Sequence, residues 1–239
     1  MTADVHIGEN RRYELKDALL VYRSSGGYSS SNRGDYITLH DVVSGPGAPT
    51  LGPAKPLTTA FLDDLCRNIG KAIDIEVLPE NVVACNRDRF VWWIPAKATP
   101  MFFKEGDNPD LKGLSGSLFP QPALVFMVDN NELSIRALKA SERPSANTKL
   151  SIAPYWNVNE EGSVCLGTAR RPAKFSVSTI PHWERCFWES EFTHPSGVHR
   201  LTKQQGGFTA LWRSLKGKKT FPVETLVDSG ETLGNWIRK

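Results

Sequence analysis

The chain has 239 residues, of which 40% are hydrophobic and 23% are charged. These fractions are typical of globular proteins and exclude a collagen-like, coiled-coil or wholly disordered chain. The 29 basic and 26 acidic residues leave a net charge of +3, which is too small to indicate a nucleic-acid-binding protein by itself. The length fits one decorated domain or two small ones.

The sequence pattern predicts neither a membrane-spanning helix nor a secretory signal. No apolar run approaches the roughly 20 residues of a membrane-spanning helix, and residues 1–16 lack the apolar centre of a secretory signal. We therefore expect a soluble cytoplasmic protein without membrane partners. The four cysteines are too sparse for a disulfide scaffold, so each is predicted to be core filler, ligand or nucleophile: Cys66, Cys85, Cys165 and Cys186.

The first part of the chain is predicted to form a loose β-hairpin followed by a loop. Residues 16–23 and 36–43 are rich in β-branched and aromatic residues, and the stretch between them is nearly all Gly, Ser and Asn. Residues 45–56 carry several prolines and glycines, which predicts a loop rather than a strand.

A helix is predicted next, beginning at Thr58 or Thr59 as its cap. Apolar residues then recur every four positions and form a stripe that should face a sheet: Phe61, Leu65, Ile69 and Ile73.

From Val82 the pattern becomes β and predicts an antiparallel meander. The predicted strands are 82–85, 90–94, 99–103, 123–128, 133–138 and 150–153. Asp129-Asn130-Asn131 favours a hairpin between the fourth and fifth of these, because Asn and Asp tolerate left-handed conformations.

The last part of the chain is predicted to be helical. Residues 181–191 and 207–215 have apolar faces typical of helices, and residues 231–237 predict a short final helix. The fold class is therefore α+β. We expect residues 1–81 to form an N-terminal extension that packs on a core of residues 82–239.

A polar, glycine-punctuated loop between the last predicted strand and the helices carries Cys165. The loop combines five residues at a distinctive spacing: Asn157, Gly162, Val164, Cys165 and Leu166. This pattern resembles the active-site stretch of ubiquitin-conjugating enzymes, His-Pro-Asn followed by Gly-x-Ile/Val-Cys-Leu. The chain departs from the pattern where Tyr155 and Trp156 replace the His and Pro, so the support for Asn157 must come from elsewhere.

A narrower resemblance covers most of residues 15–237 and lies in segments 119–126, 153–157, 162–167, 183–184, 190–195 and 211–212. In these segments the chain is similar to the bacterial PRTRC system protein B family, also described as prokaryotic family D of the ubiquitin-conjugating superfamily. The resemblance implies a ubiquitin-conjugating-enzyme-like fold, in which flanking helices and an N-terminal hairpin and helix accompany an antiparallel meander.

The resemblance also implies an activity. Cys165 would accept a ubiquitin-like protein as a thioester from a ThiF-like activating enzyme and pass it to an amine, and a JAB-type deconjugating protease would belong to the same system. Asn157 would donate to the oxyanion, or its amide would only tie the loop together. His194 would deprotonate the incoming amine, or it is a turn histidine, which we favour. The chain itself would need no metal or organic cofactor, because the activating enzyme uses the ATP.

Other interpretations remain open. A scaffold could keep the fold without chemistry, although it has no need for a thiol at this offset from Asn157. A zinc site would draw on Cys165, Cys186, His182 and His194, but they include no close Cys-x-x-Cys or His-x-x-x-His pair. A papain-like protease is disfavoured because this sequence lacks the glycine-rich signature around the nucleophile of those enzymes. No sequence motif of a phosphate-binding loop occurs. We expect His182 to face solvent, and Glu160 and Glu161 to keep the loop hydrated.

One segment, residues 199–221, is strongly basic and is called the basic segment below. It has six basic residues and no acidic one, interleaved with Phe208 and Trp212: Arg200, Lys203, Arg213, Lys216, Lys218 and Lys219. We rank a solvated face around a buried Trp212 first, docking of a partner protein second and a nucleic-acid surface third.

Overall fold

The computed structural model describes residues 4–6, 12–23, 36–45, 47–70, 76–86, 88–104, 111 and 113–239. The chain divides into two units, Met1–Ile75 and Glu76–Lys239. The described part is a mixture of mostly antiparallel sheets and a few helices, as predicted for an α+β fold. Within these ranges, no helix combines the length and apolar character that crossing a membrane requires.

The first unit contains two small sheets and a helix. Strands β1 (Asp4–His6) and β2 (Arg12–Glu14) form one antiparallel pair. Strands β3 (Asp17–Tyr22), β4 (Tyr36–Val43) and β5 (Thr50–Lys55) form an antiparallel sheet in the order β3-β4-β5. The pairing of β3 with β4 confirms the predicted hairpin, whose connecting residues 24–35 lie outside the described residues.

The prediction of a loop over residues 45–56 is wrong for Thr50–Lys55, which form strand β5. The pairing of β4 with β5 shifts register between His40 and Val42, at a bulge that places Gly52 and Pro53 opposite a single residue. Proline lacks the N–H that a central strand needs, but it is tolerated at a bulge on an edge strand. This position explains how a segment with a proline still extends the sheet.

Helix α1 (Thr59–Gly70) confirms the predicted helix. The Thr58 hydroxyl oxygen accepts a hydrogen bond from the Phe61 amide at 3.2 Å, so Thr58 is the residue that caps it. Phe61 and Leu65 are half-buried, whereas the Ile69 side chain and Ile73 lie outside the described residues. That the stripe faces a sheet therefore stays a prediction.

The second unit is built on nine strands in its described part. They are β6 (Val82–Cys85), β7 (Arg89–Ile94), β8 (Ala98–Phe103), β9 (Ser117–Pro120), β10 (Ala123–Asp129), β11 (Glu132–Leu138), β12 (Lys149–Ser151), β13 (Glu191–Phe192) and β14 (Asp228–Thr232). Six of them form an antiparallel sheet in the order β14-β12-β11-β10-β7-β6. The other three form a sheet in the order β13-β8-β9, in which β13 runs parallel to β8.

The hairpin of β10 and β11 is the centre of the large sheet and confirms the predicted turn. Asn130 and Asn131 have φ angles of 46° and 65°, in the left-handed region that Asn tolerates. Every residue from Ala123 to Val128 is buried, because both faces of β10 are covered. Alternate residues of this strand therefore belong to two separate cores.

The predicted meander is only partly right. Its pairings β6-β7 and β10-β11-β12 are confirmed, but β8 leaves the large sheet and pairs with β9, which the sequence did not predict. Prolines lie where the chain leaves and re-enters the large sheet: Pro95, Pro120 and Pro122. Because proline cannot donate to a strand ladder, these residues break the run of consecutive pairings.

Three helices follow: α2 (Ile180–Trp188), α3 (Gly207–Leu215) and α4 (Leu233–Trp236). Helix α3 has the predicted bounds. The predicted extension of α2 to residue 191 is wrong, because Glu191 begins β13. The predicted start of the last helix at residue 231 is also wrong, because Thr232 ends β14 and its side chain caps α4 by accepting from the Asn235 amide.

Aromatic packing fixes the face of the large sheet on which α2 and α3 pack. The Tyr155 ring stacks on Trp212 of α3 with centroids 5.6 Å apart, and it meets Phe187 of α2 edge-on at 5.2 Å. Leu233 and Trp236 of α4 belong to the core on the opposite face. The chain that leads into the predicted active-site loop is thus anchored between two helices.

Candidate active site

The loop of residues 157–165, called the thiol loop below, is held closed by its own backbone and by the large sheet. Val158 and Val164 form an antiparallel bridge, and the Cys165 amide donates to the Asn157 carbonyl at 2.7 Å. The Val164 amide donates to the Leu133 carbonyl at 2.9 Å. Since β12 pairs with β11 only at Ala137, the thiol loop occupies the first half of the same β11 edge.

Gly162 is where the thiol loop approaches the sheet most closely. Its carbonyl accepts from the Ile135 amide at 2.8 Å, and its φ of +94° lies in the region that favours glycine. A Cβ at this position would lie 2.7 Å from the Ile135 carbonyl oxygen. The glycine of the sequence motif therefore has a packing reason here.

Arg136, on β11, supports the thiol loop through a hydrogen bond to its backbone. The sequence analysis did not identify this residue as part of the site. Its side chain is 3% exposed, donates to the Glu160 carbonyl at 2.6 Å and pairs with Glu231 at 3.1 Å. Burial lowers the pKa of the Arg136 guanidinium, although Glu231 opposes this. Burial also raises the pKa of the Glu231 carboxyl, but Lys239 and Arg136 outweigh that effect and hold it below its usual value.

Tyr155 and Trp156 take the places of the His and Pro in the family pattern. Tyr155 is fully buried, its hydroxyl donates to Gln121 Oε1 at 2.8 Å, and burial raises the pKa of its phenol well above the usual range. Trp156 stacks on Phe208 with centroids 4.4 Å apart. Aromatic packing therefore fixes the entry into the thiol loop.

Asn157 connects the thiol loop to residues 191–194. Its Nδ2 donates to the Glu191 carbonyl at 2.7 Å, and its Oδ1 accepts from the Thr193 amide at 3.1 Å and the Thr193 hydroxyl at 2.9 Å. Its own amide donates to the His194 carbonyl at 3.0 Å. Asn157 is 6% exposed and has a φ of 62°, which Asn tolerates better than most residues. These contacts supply the support that the missing His and Pro do not.

A cavity of about 680 Å³ brings the predicted site residues together. Cys165, Asn157 and His194 all line it, and both Cys165 and His194 are exposed. The remaining walls come from residues 166–170, from one face of α2, from residues 189–191 and from Thr193. An accessible thiol thus lies in a concave site together with an amide and an imidazole.

The other residues of the predicted site are placed as follows. His182 is partly exposed and lines the cavity, with its Nε2 donating to the Arg170 carbonyl at 2.8 Å, so it faces the cavity rather than open solvent on all sides. Cys186 is buried and its thiol contacts the same carbonyl at 3.3 Å. Glu160 and Glu161 are exposed, as expected.

The four residues considered for zinc also line this cavity: Cys165, Cys186, His182 and His194. In the part of the chain that the structure describes, however, no three His, Cys, Asp or Glu side chains are grouped closely enough to hold a metal ion.

The basic segment does not present its aromatic rings. Trp212 is fully buried and Phe208 is 8% exposed, so neither ring is available to stack on nucleic-acid bases. The basic residues of the segment are exposed. The predicted burial of Trp212 beneath a charged face is confirmed.

Several cavity residues were missed in the sequence. Arg185 of α2 and Glu189, which follows the end of α2, line the cavity, and Thr193 contacts both Asn157 and His194. The helical spacing of His182, Arg185 and Cys186 places them on one face of α2, and Glu189 continues that spacing, which is a signal that could have grouped them. Thr193 has no comparable local signal.

A comparison with protein families gives a match to prokaryotic E2 family D over residues 60–229. The chain belongs to this family. The matched range includes Asn157, Cys165 and His194, and E2 denotes ubiquitin-conjugating enzymes. No curated protein and no solved structure matches the chain. Membership in the family indicates a role related to ubiquitin conjugation.

The packing of Gly162 predicts the effect of Gly162→Ala on stability. The variant should lose about 1–3 kcal/mol of the free energy of unfolding, because it combines a left-handed backbone with a clash against Ile135. Gly217→Ala is the matched control, since Gly217 also has a positive φ but nothing within 4 Å of its Cβ position. Urea denaturation measures both, and equal losses would contradict the assigned clash.

The thiols should differ in reactivity. Cys165 is exposed, whereas burial hides Cys186 and raises the pKa of its thiol. Because the thiolate is the reactive species, we expect iodoacetamide to modify Cys186 at least about tenfold more slowly than Cys165 in the native protein. Peptide mass spectrometry over time measures the rates, and in urea the difference should vanish. Equal native rates would contradict the burial of Cys186.

Proposed function

We propose that this chain accepts a ubiquitin-like protein as a thioester on Cys165 and transfers it to an amine. The observation that carries the proposal is the exposed Cys165 on the wall of a cavity that it shares with Asn157 and His194. Family membership supports the same class of role. A chain that served only as a scaffold would not need an accessible thiol at this position.

The loading step is a thioester exchange. The Cys165 thiolate attacks the carbonyl carbon of the incoming thioester, the new C–S bond forms, and the donor cysteine leaves as a thiolate. Cysteine thiols are partly ionised near neutral pH, so this step needs no dedicated base. The concave site gives the extended tail of a ubiquitin-like protein walls to lie against beside the sulfur.

Asn157 is proposed to serve both as an anchor and as an oxyanion donor. One of the two hydrogens on its Nδ2 is donated to the Glu191 carbonyl, which leaves the second for the oxygen of the tetrahedral intermediate. Such a donor is worth on the order of 3 kcal/mol in other acyl-transfer enzymes. The anchoring contacts hold the amide in a fixed orientation, which an oxyanion donor requires.

The transfer step needs a group that takes a proton from the attacking amine. His194 lines the same cavity as Cys165 and is exposed, so its imidazole can meet an amine that approaches the thioester. The C–N bond forms, the C–S bond breaks, the amine proton passes to the imidazole, and Cys165 is released as a thiolate.

The partners in this proposal follow from the resemblance to PRTRC system protein B. They are a ThiF-like activating enzyme that uses ATP, a small ubiquitin-like protein and a JAB-type deconjugating protease. We place the reaction in the cytoplasm.

Replacement of Cys165 tests the loading step. When the protein is mixed with its activating enzyme, ubiquitin-like partner and ATP, a non-reducing gel should show an adduct that thiol reagents remove. Cys165→Ala should abolish the adduct, and Cys165→Ser should give one that resists thiols. Cys85→Ser, a change at another exposed cysteine, should load normally. An adduct on Cys165→Ala, or none on the wild type, would sink the proposal.

Replacement of Asn157 separates its two roles. We use Asn157→Gly, because glycine keeps the φ of 62° without the cost of about 1 kcal/mol that alanine would add. Discharge to an amine should slow about 100-fold through loss of the oxyanion donor, and loading should slow as well because it passes through the same kind of tetrahedral intermediate. Loss of the anchoring bonds should also lower the free energy of unfolding, which urea denaturation measures. A lower free energy of unfolding with loading and discharge both within about twofold of the wild type would show that the amide only ties the loop together.

A further inference from the structure

Thr193 lies between Asn157 and His194 and contacts both side chains. Its Oγ1 is 2.9 Å from Asn157 Oδ1 and 2.7 Å from His194 Nδ1. The amide of Asn157 has a determined orientation, because its other end meets the Glu191 carbonyl and must therefore be the NH₂ group. The atom that faces Thr193 is consequently an oxygen, which can only accept.

The positions of the protons among Asn157, Thr193 and His194 follow from counting the hydrogen-bond donors. The Thr193 hydroxyl has one hydrogen and gives it to Asn157 Oδ1, which has none. The short contact from the hydroxyl oxygen to His194 Nδ1 then needs a hydrogen on the nitrogen. Neutral His194 therefore carries its proton on Nδ1, and its Nε2 holds the free lone pair.

We infer that Thr193 is a positioning residue that holds His194 in the Nδ1–H tautomer, so that Nε2 accepts the proton of the acceptor amine. The catalytic part of this inference rests on the proposed function, whereas the tautomer does not. In the other tautomer, the hydrogen on Nε2 would prevent that atom from acting as a base.

The same contacts link the two halves of the reaction. In the proposed reaction, Asn157 would donate to the oxyanion and His194 would accept the proton of the amine, and the Thr193 hydroxyl is hydrogen-bonded to both residues. When His194 takes the proton of the amine, it becomes a cation whose Nδ1–H still points at Thr193. The hydroxyl and the amide dipole behind it then stabilise this cation without any rearrangement.

The tautomer is tested directly by ¹⁵N NMR of the imidazole nitrogens. The chain has five histidines, and His194→Gln assigns the resonances of His194. The wild type should show a protonated Nδ1 and an unprotonated Nε2 in the neutral ring. Thr193→Val keeps the shape and the backbone contact but removes the hydroxyl, so the proton should redistribute toward Nε2. Thr193→Ser should restore the wild-type pattern.

The catalytic role is tested by single-turnover discharge of preloaded protein to free lysine. Thr193→Val should lower the maximal discharge rate about 10- to 100-fold, with the KM for lysine and the loading rate unchanged. Thr193→Ser should restore the rate. Thr220→Val makes the same chemical change at an exposed threonine and should behave as the wild type.

Three results would overturn the inference: an Nε2–H tautomer in the wild type, a wild-type discharge rate in Thr193→Val, or a Thr193→Ser variant as slow as Thr193→Val. The last result would point to packing of the threonine methyl rather than the hydroxyl. Failure of the wild type to load would instead overturn the proposed function and the catalytic part with it, while the NMR measurement still decides the tautomer.

Discussion

The side-chain amide of Asn157 joins two stretches of chain that are separated by more than 30 residues. Its donor and acceptor atoms both face backbone groups of residues 191–194, and its own backbone pairs with His194 on one side and Cys165 on the other. The residue is buried, so breaking these bonds would leave polar groups unsatisfied at a cost of roughly 1–3 kcal/mol each. The side-chain amide therefore helps to fix the position of Cys165 relative to His194.

The rest of the second unit keeps that amide in place from two directions. Tyr155 and Trp156 hold the entry into the thiol loop through packing on helices α2 and α3, while Arg136 holds its tip through the Glu160 carbonyl. In this chain, large rings in the core hold the residues that precede Asn157, at the positions where the sequence pattern has His and Pro.

Much of the fold was predictable because its signals are local. The buried run of β10, the Asn130-Asn131 turn and the bounds of α3 follow from periodicity and turn chemistry. The sequence missed β13 and the strand character of Thr50–Lys55, because a two-residue strand and a proline at a bulge carry no pattern of their own. In the site, the motif led to Cys165 and Asn157. Arg136 was missed because both of its partners lie far along the chain, and Thr193 was missed because its contact with Asn157 spans 36 residues.

The attachment of the thiol loop to β11 has a consequence for whatever meets it. Residues 162–164 share backbone hydrogen bonds with the edge of the large sheet, so the chain that leads directly into Cys165 is tied to that sheet. In the proposed reaction, the tail of the incoming polypeptide would therefore adjust its conformation to the site. Ordering its terminal residues would cost conformational entropy and lower its affinity. Selectivity would then depend on the flexibility of that tail and on its shape complementarity to the cavity.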